Sequence, residues 1–343
     1  MRKMMNTLYI TSPDSYLGLD GETIIVKRED LDDIRIPLHN IESVLAFGYT
    51  GASPALMGAL AERNISLCFL TQNGRFLSRI IGESHGNILL RKEQYRISDD
   101  EPRSLEIAKQ IISTKIHNSR WIIERAIRDY PLRLDIEKLK NRSLYLQDMI
   151  SQAQSSKSLE ELRGIEGKSA SSYFGVFDDL ILQQKDHFFF KSRSRRPPLD
   201  NMNAMLSFGY TLLANDTAAA LESVGLDAYA GFLHRDRPGR ISLALDIMEE
   251  FRGPLVERMV ISMINKKVVS GKGFIKEESG GIIMTKDTRD IFLKTWQERK
   301  KEIITHPFLK EKMEWGLVPY AQALLLARFI RKDLDAYPVF LWK

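Results

Sequence analysis

The hydrophobic periodicity of the chain changes near residue 100, and that change dictates a fold of two unlike parts. Upstream, apolar residues come in short runs or alternate with polar ones, which is the period of half-buried strands. Thr7-Leu8-Tyr9-Ile10 is β-prone, and Tyr16–Leu19 and Thr23–Lys27 flank Asp20-Gly21 as a hairpin with a two-residue turn would. Further strands are predicted at Ile34–Leu38, Ile41–Phe47, Ile65–Leu70 and Arg75–Ile80, the last two joined by Gln72-Asn73-Gly74. One short helix interrupts them. Ser53-Pro54 opens it, with proline at the first helical position where its missing N–H costs little, and it runs to about Arg63.

From about Glu101 helical spacing takes over. Ile107, Ile111, Ile112, Lys115, Ile116, Ser119 and Ile122 recur along one face. Ser158-Leu159-Glu160-Glu161 has the form of a capping box, and Asp200 is placed to cap a helix through Met205, Tyr210 and Leu213. Ser242 opens a helix through Asp246 and Glu249. Pro254 is expected to break or kink it before a second segment to about Lys267. Lys301 to Ile330 is predicted to be helical again. Phe188–Pro198 reads as a linker: three phenylalanines, then Lys191, Arg193, Arg195 and Arg196, then two prolines. The predicted class is therefore α+β, with a small β-rich N-terminal domain at residues 1–98 followed by a larger, mostly α-helical domain at 99–343. A length of 343 residues suits two domains, against roughly 150 for one.

With 43% hydrophobic and 28% charged residues, the chain has the make-up of a globular protein and not of a disordered one. Its one cysteine, Cys68, excludes an intrachain disulfide and cysteine-based zinc clusters, and its place in Ile65–Leu70 predicts a buried thiol. Met1–Asn6 lead into alternating residues, so the expectation is a cytoplasmic protein without signal peptide or membrane span. The net charge of +5 is uneven: residues 1–100 carry 11 Lys/Arg against 13 Asp/Glu, and the excess of positive charge lies in the remainder. A polyanionic partner would sit on that part.

Three places are candidates for chemistry. His234 lies in Gly231-Phe232-Leu233-His234-Arg235-Asp236-Arg237-Pro238-Gly239-Arg240, a polar loop before a helix, where a histidine is either a solvated surface residue or a ligand. In the helix that follows, Asp246, Glu249 and Glu250 share one sector at about 100° per residue. A solvated acidic face is the common reading of such a sector. Leu243, Leu245, Ile247, Met248 and Phe251 surround it, however, and carboxylates on a largely buried helix need a cation, an arginine or a proton to compensate them. Glu166 stands between Gly164 and Gly167, each costing a helix roughly 1 kcal/mol relative to alanine, which points to close approach of another helix or a ligand. An exposed glutamate in a weak helix is the alternative. Lys191, Arg193, Arg195 and Arg196 beside Phe188–Phe190, with Arg237 and Arg240 near His234, suit phosphate contact, or form a solvated basic loop. There is no Walker loop, no strand-linked dinucleotide fingerprint and no nucleophile elbow. His39, His85, His117, His187 and His306 form no close ligand pair.

Taken together these segments resemble the CRISPR-associated integrase (Cas-one) family, over essentially the whole chain. The resemblance is carried by Arg163-Gly164-Ile165-Glu166-Gly167 and by Arg193–Pro198 with Asp200 and Asn203–Tyr210. It continues in Gly231-Phe232-Leu233-His234 and Leu243–Arg252, and earlier in His85-Gly86-Asn87, Leu89-Leu90-Arg91 and Gln94-Tyr95. The surroundings are most similar to the type I-C branch.

The resemblance implies a β-rich N-terminal domain expected to carry dimer contacts and a helical, metal-dependent catalytic domain. It implies that Glu166, His234 and Glu249 form a catalytic metal-binding triad, with Asp246 as a possible additional acidic residue and Glu249 standing where some relatives carry aspartate. Two carboxylates and an imidazole suit Mg²⁺ or Mn²⁺. The implied reaction is insertion of spacer DNA into a CRISPR array by attack of a 3′-hydroxyl on a repeat phosphodiester, with endonuclease activity when water attacks instead. The implied partners are double-stranded DNA, a second copy of the chain and a small dimeric CRISPR-associated protein (Cas-two). A structural DNA-binding subunit with a degenerate site and a branched-DNA repair nuclease are the competing expectations.

Overall fold

The computed structural model describes residues 7–12, 15–28, 31–41, 43–48, 50–63, 65–72, 76–80 and 88–343. Met1–Asn6, Glu42, the Asn73-Gly74 turn with Arg75, and His85-Gly86-Asn87, all singled out above, lie outside the described residues. The N-terminal part is built from β1 (Thr7–Ile10), β2 (Tyr16–Asp20), β3 (Thr23–Arg28), β4 (Leu31–Pro37), β5 (Ser43–Phe47), β6 (Gly51–Ala52), α1 (Pro54–Glu62), β7 (Ser66–Leu70) and β8 (Phe76–Ile80). They form two four-stranded sheets, ordered β1-β5-β7-β8 and β4-β3-β2-β6. The predicted hairpin is present, one residue along. Asp20 pairs with Thr23, so the turn is Gly21-Glu22, and Gly21 takes φ +55°, a conformation that suits glycine. Ser53 caps α1 by accepting from Leu56 N at 3.2 Å.

Strands β5 and β7 show why Ile41–Phe47 and Ile65–Leu70 read as nearly continuous apolar runs. Val44, Ala46 and Leu67 face a core shared with Leu17, Ile24 and Leu60. Leu45, Phe47, Cys68 and Leu70 point the other way, into the core of the helical part. A strand buried on both faces has no polar side to alternate with. Cys68 is buried, as predicted, and burial pushes its thiol up to about 11 against the pull of Arg79.

The helical part comprises α2 (Ile88–Ser98), α3 (Glu101–Asp129), α4 (Ile136–Ser155), α5 (Leu159–Phe174), α6 (Asn201–Ser223), α7 (Ser242–Phe251) and α8 (Arg258–Asn265). After these come the hairpin β9 (Phe274–Lys276) and β10 (Ile282–Met284), then α9 (Lys286–Lys301), a second hairpin of β11 (Ile303–Thr305) and β12 (Lys312–Glu314), and α10 (Val318–Ile330). The α+β class is as the sequence indicated. Helix α3, capped by Asp100, is the axis against which α4, α5 and α7 pack. Ser158 caps α5 through Glu161 N at 3.1 Å, while the reciprocal glutamate arm accepts from Lys157 N at 2.7 Å. Asp200 caps α6 through Asn203 N at 2.7 Å. No helix among the described residues is long and apolar enough to cross a membrane.

One expectation is refined and two are corrected. At Pro254 the α-helix is interrupted and a second segment follows, as expected, but the chain stays helical through the interruption. Arg252–Glu257 form a π-helical turn that carries the chain continuously from α7 into α8, because the wider turn shifts the hydrogen-bond register past the residue lacking an N–H. Lys301–Ile330 is not one helix: the β-branched Ile303-Ile304-Thr305 and then Pro307 end α9, and the β11–β12 hairpin intervenes. Phe188–Pro198 is not a free linker, since Phe188 and Phe190 are buried and Phe190 stacks on Phe174 with ring centroids 5.3 Å apart.

Candidate functional site

Helices α3, α5 and α7 meet where Lys115, Glu166 and Glu249 face one another. The Lys115 ammonium lies against both carboxylates, in ion contact with Glu166 Oε1 and 2.9 Å from Glu249 Oε2. Glu249 is 4% exposed, and its other oxygen, Oε1, takes Arg252 Nη1 at 2.9 Å. Burial pushes the Glu249 carboxyl up, but the neighbouring positive charges, Arg252 and then Lys115 foremost, outweigh it and hold it at about 2. Glu166 is more open, at 28% exposure, so the group of charges faces solvent on the α5 side. The glycines flanking it meet nothing: a Cβ added at Gly164 or Gly167 would have no protein atom within 4 Å. Of the two readings of those glycines, close approach by another helix of this chain is ruled out among the described residues.

His234 is held by an over-determined loop between α6 and α7. Its Nδ1 lies 2.5 Å from Asp246 Oδ1, and because a carboxylate only accepts, Nδ1 carries an N–H that points at Asp246, which leaves Nε2 as the ring nitrogen open to another partner. Asp246 Oδ1 also accepts from His234 N at 3.1 Å. Its Oδ2 accepts from Phe232 N at 2.7 Å and Leu233 N at 2.9 Å. Asp246 is fully buried, and both its oxygens accept hydrogen bonds from the loop. Gly231 lets the loop lie this close to α7, since a Cβ there would stand 2.8 Å from Ser242 Cβ and 2.9 Å from Asp246 Oδ2. From α5, Arg163 donates to the Leu233 carbonyl at 2.6 Å. From α2, Ser98 donates to the Gly231 carbonyl at 2.7 Å, and Gln94 bonds Asp227 and the Ala230 carbonyl.

The basic candidates divide. Arg193 is turned inward: it donates to Asn203 Oδ1 at 2.7 Å and Ser207 Oγ at 3.0 Å, with its guanidinium 5.3 Å from the Tyr210 ring. It anchors the segment after Phe190 to α6 and is not a surface contact. Lys191, Arg195, Arg196 and Arg237 are exposed. Arg240 is half-buried, and its pKa is lowered by burial and then by the like charges of Arg237, Arg163 and Arg195 around it. A cleft of about 380 Å³ beside the His234 loop is lined by Tyr95, Tyr229, Arg237 and Arg240, with Asp227 and Asp236 on its wall.

Family identity is decided by sequence likeness. Residues 8–298 match the family model described as CRISPR associated protein Cas1. The chain belongs to the Cas1 family. A relative from Chlorobaculum tepidum, named CRISPR-associated endonuclease Cas1 1, is 46% identical over the full length of both chains. Among solved structures, a Cas1 protein from Thermotoga maritima superposes with a TM-score of 0.81 over 97% of this chain and 99% of that one. At 21% identity this speaks for the Cas1 fold alone. A chain from a Cas6-RT-Cas1–Cas2 complex reaches 0.82 at 26% identity, covering all of this chain and 36% of that one.

Against the sequence reading, Glu166 and Glu249 meet on one ammonium, while the His234 ring is held by Asp246, three residues before Glu249 on α7. Two members of this charged cluster, Lys115 and Arg252, were not among the candidates. The signal for Lys115 was a lysine on the apolar stripe of α3, between Ile112 and Ile116. Arg252 sits three residues beyond Glu249, the spacing of neighbours on a helix.

The donor set fits a hard divalent ion in kind. It offers two carboxylates, an imidazole whose Nδ1 alone is taken by Asp246, and in Glu249 Oε2 a buried oxygen that faces the Lys115 ammonium at 2.9 Å. Among the described residues, no three His, Cys, Asp or Glu side chains are gathered closely enough to hold an ion, and Lys115 supplies the positive charge between the carboxylates.

Proposed function

We propose that this chain is a metal-dependent DNA endonuclease and integrase of CRISPR adaptation, nearest the type I-C branch, acting as a homodimer with a Cas2 partner. The observation that carries the reading is the convergence of Glu166 and Glu249 on one positive charge, with His234 fixed through Nδ1 by Asp246 of the same helix as Glu249. Support for substrate and partner comes from the name of the C. tepidum relative and from the Cas1–Cas2 assembly to which the structural neighbour belongs.

In this reading Glu166, Glu249 and His234 Nε2 hold Mg²⁺ or Mn²⁺. When bound, such an ion supplies charge for the phosphate oxygens and acidifies the attacking hydroxyl. Asp246 keeps the His234 proton on Nδ1, so the ring enters as a neutral ligand. Arg195, Arg237 and Arg240, like charges gathered in one place, bind DNA phosphates and orient the scissile linkage. A DNA 3′-hydroxyl forms the new P–O bond, the repeat's own P–O3′ bond breaks, and its 3′-oxygen leaves with a proton. Water in place of the 3′-hydroxyl gives cleavage, so no protein nucleophile is called for.

The test is a strand-transfer assay on an array repeat, with and without Mn²⁺. Glu166→Ala, His234→Ala and Glu249→Ala should each drop joining to background while DNA binding persists. Joining at wild-type rates by all three would overturn the site. Salt-dependent DNA binding without any metal-dependent turnover in the wild type would favour a structural subunit. Turnover on branched DNA without a covalent joint would favour a repair nuclease.

A further inference from the structure

We infer that Lys115 is a built-in counter-ion for this site: its ammonium holds Glu166 and Glu249 together when no divalent ion is bound, and must withdraw before one can reach both carboxylates. The inference rests on the metal-binding reading above and adds a positioning residue to it.

The arrangement is asymmetric in a way that a plain structural ion pair does not require. Arg252 takes Glu249 Oε1, and Lys115 takes Oε2. The same ammonium contacts Glu166 Oε1. Lys115 thus covers one oxygen of each of the two carboxylates that would hold the divalent ion. Lys115 rises from the apolar stripe of α3, and its side chain is 15% exposed. Without Lys115 the two carboxylates would repel each other with only Arg252 on one of them to compensate, which opposes the closing of α5 and α7 on α3. An ammonium meets the need and can still leave, being a point charge on a flexible four-carbon stem. A guanidinium would clamp the carboxylates with a rigid fork. Divalent-ion binding is therefore an exchange, and its affinity is lowered by the contacts Lys115 gives up.

The experiment titrates Mn²⁺ into the full chain, following free Mn²⁺ by electron paramagnetic resonance and the metal-induced shift in melting temperature. Lys115→Met should melt lower than wild type without metal and bind Mn²⁺ at least about tenfold more tightly, a change of about 1.4 kcal/mol. Lys115→Arg should bind Mn²⁺ no more tightly than wild type. A lysine that merely supports the fold predicts the reverse, weaker Mn²⁺ binding in Lys115→Met. If Lys115→Met does not fold without metal, refolding in millimolar Mn²⁺ should restore it. A variant that stays unfolded there, or that binds Mn²⁺ no tighter than wild type, overturns the inference. Glu166→Gln separates the two levels. If it leaves wild-type Mn²⁺ binding unchanged, the metal reading fails and takes the inference with it. If it weakens binding while Lys115→Met does not tighten it, the inference alone falls.

Discussion

Three carboxylates within five positions of α7 are each compensated by different chemistry, and that difference assigns their tasks. Asp246 accepts backbone N–H groups and the His234 ring, Glu249 takes two side-chain cations, and Glu250 accepts neutral donors from the C-terminal tail and α10. The sequence showed one acidic sector and the need for compensation. It did not show which partner went to which residue, because Lys115, Gln322, Tyr337 and Phe340 come from α3, α10 and the tail, far away in the chain. Asp246→Asn tests the assignment. An amide offers one accepting oxygen where the carboxylate used two, so its NH₂ must face either the Phe232 and Leu233 N–H groups or the His234 ring. In the second case the ring proton moves to Nε2 and blocks ligation. Mn²⁺ affinity should fall about 10–100-fold, and stability by about 1–3 kcal/mol for the donors left unpaired. Mn²⁺ titration and thermal melts measure both, and wild-type values for the two together would remove Asp246 from its role.

At the scale of elements, local signals were legible wherever they act through adjacent residues. The caps of α1, α5 and α6 stand where Ser53, Ser158 and Asp200 placed them. Signals that compete were misread. Pro254 signalled a break or kink and the fold answers with a π-helical turn, while Phe188–Phe190 looked like linker although two of the three rings enter the core. Helix α5 keeps a weakness that the fold does not explain, two glycines with open space at both Cβ positions beside Glu166. If they exist to let a DNA backbone lie against the helix, Gly164→Ala and Gly167→Ala will separate stability from binding. Each should raise helix stability by about 1 kcal/mol, while affinity for duplex DNA, read by fluorescence anisotropy, falls several-fold. A gain in melting temperature with unchanged DNA affinity would show that nothing docks there.

The whole molecule is organised around shared burial. The β1-β5-β7-β8 sheet has one face in the N-terminal core and one in the helical core, which is why the change in periodicity near residue 100 marks a change of architecture without marking the edge of a core. The far end of the chain closes onto the same body. Asn118 on α3 donates to the carbonyls of Glu250 and Phe340 and accepts from Trp342 N at 2.9 Å. Glu250 accepts from Tyr337 Oη and Phe340 N at 2.7 Å each and from Gln322 Nε2 at 3.0 Å. The residue beside Glu249 thus fastens the C-terminal tail and α10 to α7, and it does so from full burial. That burial, only partly offset by those three donors, pushes the Glu250 carboxyl from 4.5 up to about 7. Between these two values the folded chain binds a proton that the unfolded chain has released, so the Glu250 contribution to stability declines as pH climbs through the window. The decline is complete once pH passes the folded value. Glu250→Gln carries no such proton, and its amide can donate to the Tyr337 hydroxyl while its oxygen accepts from Phe340 N. The melting temperature of Glu250→Gln minus that of wild type should therefore rise from pH 5 to pH 7 and level off by pH 8. Other groups titrating in this range cancel in the difference. Melting curves across that range decide it, and a difference independent of pH would mean that Glu250 is ionised throughout and that the tail is fastened to a charged carboxylate.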